Sequence, residues 1–257
     1  MKDRKLGHWL MLCGILMLWM GAHAAPLQVV LVPQDADKRV LVPQDNVDDA
    51  WRSSTSFDDS EWMLSSGAPG GIGFDNAGDY NRFIALNVGG VMGGQTTCYV
   101  RAVFKLTATV RRELDYLALL VRYDDGFVAY LNGERVASAN APTNLHRRAA
   151  ASQPHEAQRE EVFDISQFVG RLRTGDNLLA IHALNVSGDS PDFLIMPKLI
   201  ARKNYKNNFV SDLPILTFKS NGALGSDAVS AAVSVIHKNG AKLTDDAEYS
   251  GSAALQT

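Results

Sequence analysis

Asp124 and Asp125 are adjacent carboxylates, and a carboxylate pair is the minimum equipment for acid and base work on a glycosidic bond. Neighbouring residues at a strand end point in different directions, whereas glycosidase carboxylates come from separated positions. The pair therefore reads as turn structure, with one carboxylate accepting backbone N–H groups within the turn. Gly188-Asp189-Ser190 echoes the nucleophile tripeptide of serine proteases, but Pro191 follows it and no histidine or aspartate spacing completes a triad. His146, His155, His182 and His237 show no metal-ligand spacing, and His182, inside an apolar run, reads as a packed, hydrogen-bonded core residue. The stretch FDNAGDYN offers Asp75, Asn76 and Asp79 as oxygen ligands for calcium, although it is no EF-hand. GAPGGIG just before it has neither the lysine of a phosphate loop nor the GxGxxG spacing, and reads as a loop lying close over a sheet. Cys98 has no basic neighbour to activate it and reads as a small buried hydrophobe.

The elements that must hold these residues are strands. LDYLALLVRYDDGFVAYLNGERV reads as two strands and the start of a third, broken by Asp124-Asp125-Gly126 and by Asn132-Gly133. Asn-Gly is the preferred pair for a two-residue hairpin. Residues 114–123 are apolar on both alternating sets, as expected of a strand covered on both faces. TCYVRAVFKL sets Cys98, Val100, Ala102 and Phe104 against Tyr99, Arg101, Val103 and Lys105, a half-buried strand by its period of two. LQVVLV, residues 40–43, residues 177–185 and residues 190–201 add further strands. LVPQD occurs twice, at 31–35 and 41–45, and reads as one slipped or extended first strand. Residues 139–161 read as a long polar excursion with a helical turn, and FDISQFV as a short turn. Eight or more short strands with Gly, Asp and Asn corners predict an all-β sandwich.

The ends differ from this middle. Lys2, Arg4 and Lys5, an apolar run over 9–20 and Ala22-His23-Ala24 make residues 1–24 a secretory signal cut near Ala24, too short to span a bilayer. Removing it takes three basic and one acidic residue from totals of 25 and 28, leaving 22 against 27, a net charge of −5. No basic stripe remains, which argues against a nucleic-acid partner. One remaining cysteine cannot form an internal disulfide, so the exported domain must be held by its core. After about residue 205 the composition turns to Lys, Asn and Tyr, and residues 206–257 read as a linker and the truncated start of a second β-rich domain, with strands near 213–219 and 231–237 and a polar tail.

The segments FDDSEW, GAPGGIGFD, CYVRAVF, YDDGFVAYLNGERVASANAP, LRTGDNLLAIHALN and SPDFLIMPKL, in that order, resemble the galactose-binding-like β-sandwich of large secreted bacterial proteins. Such modules stand beside lamin-tail and spore-coat CotH-type kinase domains, and SDLPIL with the later YSG resembles the opening of the latter. The arginine-rich and acidic motifs that would bind nucleotide and metal in such a kinase have no counterpart, so no kinase activity carries over. The resemblance implies an antiparallel jelly-roll sandwich over residues 25–205, acting as a non-catalytic carbohydrate-binding-type accessory module, secreted or held at the cell envelope. Its partners would be a glycan and the C-terminal domains of the same polypeptide, with no membrane span after signal removal. Sugar-binding members use rim loops, and on that basis Trp51, Trp62, Tyr80 and Tyr123 supply aromatic surface while Asp125, Asn140 and Asn185 supply hydrogen bonds. A structural spacer or protein-interaction sandwich is the alternative, and an accessory domain of a glycoside hydrolase or CotH-type kinase a further one. A structural calcium is the one cofactor suggested.

Overall fold

Period-two alternation in the longest strands builds two sheets with an apolar layer between them. The computed structural model describes residues 27–76, 78–203, 210–211, 213–220, 229–237, 241–242, 245–247 and 249–255. The expected signal at 1–24 lies outside the described residues. Up to residue 203 the strands are β1 (Leu27–Val32), β2 (Lys38–Leu41), β3 (Met63–Ser65), β4 (Gly71–Asp75), β5 (Ile84–Asn87) and β6 (Thr97–Leu106). They continue as β7 (Leu114–Asp124), β8 (Gly126–Leu131), β9 (Glu134–Ala139), β10 (Glu161–Asp164), β11 (Gly175–Leu184) and β12 (Asp192–Lys203). The first sheet runs β10-β7-β12-β4-β5, with β1 alongside the second half of β12. The second runs β3-β2-β6-β11-β8-β9. Among the described residues only β4 and β5 pair in parallel.

The layer between the sheets follows the alternation residue by residue. Leu117, Leu119, Val121 and Tyr123 point inward from β7, and Phe193, Ile195, Leu199 and Ala201 from β12. Cys98, Val100, Ala102 and Phe104 on β6 meet them with Leu179, Ile181 and Ala183 on β11 and Phe127, Ala129 and Leu131 on β8. Burying each large side chain contributes about 1.5–3 kcal/mol, which makes the registers of β6, β7, β11 and β12 costly to slip. Burial also pushes the Cys98 thiol up to about 12, so it is an inert core group.

The outer face of the second sheet carries its own apolar cluster. Trp51, Trp62, Tyr99, Val128, Tyr130, Leu178 and Ala180 pack beneath a segment that includes a 3-10 turn, Asp49–Arg52. Arg101, 1% exposed, projects from β6 into that segment.

Several sequence expectations are corrected. Asp124-Asp125-Gly126 is not a hairpin: β7 pairs with β10 and β12, β8 with β9 and β11, so the chain changes sheets at this corner. Asn132 (φ 51°) and Gly133 (φ 91°) do form the expected hairpin turn between β8 and β9. The GAPGGIG stretch is not only a loop, since β4 enters the first sheet. A Cβ on Gly73 would strike the Phe193 backbone, which is why this strand carries glycine. The two LVPQD copies end β1 and begin the chain beyond β2, in different sheets. No helical turn lies in 140–160, and Phe163 sits on β10 ahead of a 3-10 turn, Ser166–Arg171. Further on, β13 (Val210–Ser211) pairs with β16 (Ala241–Lys242), and β14 (Ile215–Ser220), β15 (Val229–Ile236) and β17 (Tyr249–Leu255) form a three-stranded antiparallel sheet. The β17 strand replaces the polar tail expected there. Among the described residues no helix is long and apolar enough to cross a membrane.

Candidate metal centre at a sheet-to-sheet corner

The corner between the sheets is built from carboxylates. Asp124 ends β7 and Asp192 begins β12, and the antiparallel register that sets Leu194 opposite Asp124 brings these two ends together. Glu156 arrives from the long 140–160 segment. One oxygen from each of Asp124, Glu156 and Asp192 lies within 4.8 Å of the others. Tyr80 stands among them: its hydroxyl contacts Glu156 Oε2 at 2.6 Å and Asp124 Oδ2 at 3.2 Å, and accepts the Ala157 N–H at 2.9 Å. A single phenolic proton cannot serve both carboxylates, and the shorter contact claims it for Glu156.

That leaves Asp124 poorly served. It is 2% exposed, and its Oδ1 is buried with no hydrogen-bond partner. Burial, then the charges of Asp125, Asp192 and Glu156, push its carboxyl up to about 8, against the Tyr80 contact. Asp192 is raised for the same reasons, burial first and then Glu156. Among the described residues none of the three carboxylates has an ion-pair partner. Asn185, 1% exposed, donates to the Asp192 carbonyl at 3.1 Å and keeps a second unpartnered buried oxygen, Oδ1. An open depression of about 510 Å³, walled by Tyr80, Phe83, Arg122 and Glu156, gives the group access to solvent.

This donor set suits a hard cation. Calcium takes six to eight oxygens at about 2.3–2.6 Å, so oxygens sharing one ion stand no more than about 5 Å apart. The cluster meets that limit, is oxygen-only, and includes the carboxylate whose Oδ1 has no hydrogen-bond partner. Asp124, Glu156 and Asp192 would hold it.

The residues nominated from sequence divide into separate places. Asp75 accepts the Gly78 and Tyr80 N–H groups, which commits its oxygens to the 75–80 loop, although β4 sets it directly opposite Asp192. Asn76 is exposed, its N–H given to the Pro191 carbonyl, and Asp79 lies exposed on the rim of the depression. The carboxylates that lie within one ion's reach are Asp124, Glu156 and Asp192. Asp125, 4% exposed, accepts the His155 N–H at 2.8 Å and the Val186 N–H at 2.6 Å, from two distant segments rather than from its own turn. Asn140 (φ 50°) donates to the Asp125 carbonyl at 2.9 Å. Tyr123 is 4% exposed, its ring stacked on His155 at 4.1 Å and its hydroxyl on Glu161 at 3.2 Å. The corner therefore unites Tyr80, Tyr123, Asp125, Asn140 and Asn185. Trp51 and Trp62, 2% and 8% exposed, stand apart from it on the outer face of the second sheet. Glu156 and Asp192 escaped the sequence reading because nothing local marks them; only strand register brings them to Asp124.

His182 is buried as expected. Its Nε2 lies 3.4 Å from the Thr97 hydroxyl, and burial, then the charges of Arg52 and His146, pushes the ring down to about 3. The unfolded chain thus binds a proton near pH 6.5 that the folded one refuses until about pH 3. Stability contributed by the neutral ring is present above pH 6.5 and drains away as pH falls from there. Melting temperatures measured from pH 7 down to 4 should drop less steeply for His182→Leu than for the parent.

No family model and no curated protein matches the chain. Among solved structures it is similar to Bacteroides uniformis β-glucuronidase 2 covalently bound to cyclophellitol-6-carboxylate aziridine (14% identity, TM-score 0.43, 90% of this chain and 26% of that one). A calcium-binding mutant of the same Bacteroides uniformis enzyme scores 0.40 at 15% identity, again over 90% and 26%. A β-glucuronidase of an uncultured Clostridium species scores 0.41 at 7% identity, over 91% of this chain and 40% of that one. The chain spans between about a quarter and two fifths of these solved structures. At TM-scores below 0.5 these likenesses carry no argument about what it does, and the all-β sandwich stands on its own strands.

Proposed function

We propose that the sandwich is a non-catalytic accessory module of a secreted multidomain bacterial protein, with a calcium ion fastening the corner where the chain passes between its sheets. The observation that carries the calcium reading is the buried Asp124 carboxylate, its Oδ1 unpartnered and one of its oxygens within 4.8 Å of one each from Glu156 and Asp192. Leaving a buried polar oxygen unmatched costs about 1–3 kcal/mol, and like charges this close repel; a divalent cation offsets both. The accessory role is supported by the commitment of Asp125 to the His155 and Val186 N–H groups, which turns one of the two adjacent carboxylates to holding loops. The resemblance to galactose-binding-like modules extends this to a multidomain setting, with residues 25–205 as the module and 206–257 opening a CotH-type neighbour.

Calcium titrated into EDTA-treated protein should bind with a stoichiometry of one. Near a hundredfold excess over Kd it should raise the melting temperature by about 5–10 °C, since that excess is worth about 2.7 kcal/mol and a domain this size gains 2–4 °C per kcal/mol. Asp192→Asn, at the half-buried member of the cluster, should abolish the shift. Equal melting curves with calcium and with EDTA would end the calcium reading and leave a corner held by a shared proton.

A further inference from the structure

On the outer face of the second sheet, away from the corner, four chain segments meet around a pocket of about 320 Å³. Its floor is aromatic. Tyr99 and His182 sit opposite each other on β6 and β11, edge to face at 4.8 Å, and the Trp51 indole stacks on Tyr99 at 4.2 Å with the planes 11° apart. One wall is the 3-10 turn carrying Asp49 and Arg52, which pair with each other at 2.9 Å, while Arg52 also stands over the Tyr130 ring at 5.3 Å. The opposite wall is Arg147 from the 140–160 segment.

Arg147 is the telling residue. The Arg52 charge is matched by Asp49, but among the described residues Arg147 has no carboxylate, and its Nη1 is buried with no acceptor. A guanidinium is built to be met by an oxyanion, and a buried donor left bare costs more than it returns. The chain as a whole is acidic, at −3, so a pocket with an uncompensated cation is a local exception. The hydrogen bonds of His182 add a second requirement. Thr97 gives its one hydroxyl proton to the Ala149 carbonyl at 3.0 Å, so the contact with His182 at 3.4 Å is a donation from Nε2–H. The other ring nitrogen, Nδ1, is then a lone-pair acceptor, and burial keeps the ring neutral well below pH 6.5. With the Asp49 carboxylate it gives the pocket acceptors suited to hydroxyl groups.

We propose that this pocket binds one sugar-sized, hydroxyl-bearing oxyanion, a monosaccharide carrying a single carboxylate or phosphate, with Arg147 on the anion and the Trp51–Tyr99 pair against its body. The volume admits one ring and little more. The site shares no residue with Asp124, Glu156 and Asp192, so it stands whether or not calcium binds the corner.

Calorimetry on the full chain at neutral pH and low salt, with D-galacturonate, D-galactose, D-glucose 6-phosphate and inorganic phosphate, tests it, each in calcium and in EDTA. One or both sugar acids should bind at least about tenfold more tightly than galactose and than inorganic phosphate, the tighter of the two naming the oxyanion. Arg147→Gln should bring that acid down to the galactose level. Should Arg147→Gln melt early, the ring resonances of His182 in the parent must still move during titration with the acid. No binding of either acid, galactose or inorganic phosphate binding as tightly, an unaltered Arg147→Gln titration, or unmoved His182 resonances would each overturn the proposal.

Discussion

Asp125→Ala should lower the melting temperature by about 6–24 °C, and the loss should be felt first in two loops rather than in the strands. Asp125 lies at the sheet-to-sheet corner with its carboxylate accepting the N–H groups of His155 and Val186, its own N–H given to the Leu184 carbonyl and its carbonyl taking the Asn140 amide. One side chain thus ties the end of β7 to the 140–160 segment and to the chain leaving β11. Hydrogen bonds to a charged acceptor contribute about 1.5–3 kcal/mol each, and alanine removes two while leaving both donors partly buried. The sum is about 3–6 kcal/mol, and a domain this size loses roughly 2–4 °C per kcal/mol. Asp125→Asn keeps one acceptor but turns an amide N–H toward the other donor, so it should cost less than alanine and more than nothing. Exchange of the His155 and Val186 amides should quicken by about a hundredfold in Asp125→Ala, with the β6–β11 amides protected as before. Unchanged exchange at both amides would show that other contacts hold the loops.

How much of this was legible depends on whether the signal was local. The β6 strand reads from sequence to its end residues because Cys98, Val100, Ala102 and Phe104 fall on one face at period two, and the same face enters the core. Asn132-Gly133 reads as a hairpin because few pairs accept positive φ twice in succession. Asp124-Asp125-Gly126 carries equally good turn chemistry, yet it turns the chain into the other sheet. Turn residues state that the chain bends and are silent on which neighbour the next strand will choose. β4 was hidden for a different reason: its glycines are demanded by distant backbone, Gly73 by Phe193 on β12 and Gly71 by Phe83 ahead of β5, contacts that no local pattern reveals. The carboxylate group is the extreme case. Asp124, Glu156 and Asp192 sit on three distant segments, and only the β7–β12 register and the path of the 140–160 segment make them neighbours. Local turn acidity therefore pointed to Asp75, Asn76 and Asp79, whose loop uses Asp75 for its own N–H groups.

The aromatic layer on the second sheet rests on one buried cation, and its removal is the other large expected loss. Arg101 is 1% exposed, and every partner of its guanidinium lies in the covering segment. Nε donates to Asp59 at 2.6 Å, Nη1 to the Trp51 carbonyl, Nη2 to the Ser54 carbonyl at 3.1 Å, and the group stands over the Phe57 ring at 5.1 Å. Methionine fills much the same volume yet supplies no donor, leaving the Trp51 carbonyl bare, the Ser54 carbonyl with only the Phe57 N–H at 3.5 Å, and the Asp59 carboxylate with only Arg39 at 3.9 Å. Breaking a buried ion pair by removing one member costs about 3–5 kcal/mol. Because all the lost contacts reach one segment, Arg101→Met should free that segment before the two-sheet core melts. Trp51 and Trp62 report it directly, since the chain's other two tryptophans, Trp9 and Trp19, fall in the N-terminal stretch assigned to the signal. Their emission should shift red and become open to quenching by acrylamide some 10 °C below the loss of sheet signal in circular dichroism. Adding Asp59→Leu to Arg101→Met should restore part of the gap, because removing both partners of a buried pair costs less than orphaning one. Coincident fluorescence and dichroism transitions in Arg101→Met, at the parent's temperature, would mean that the aromatic packing of Trp51 on Tyr99 holds the cover without the cation.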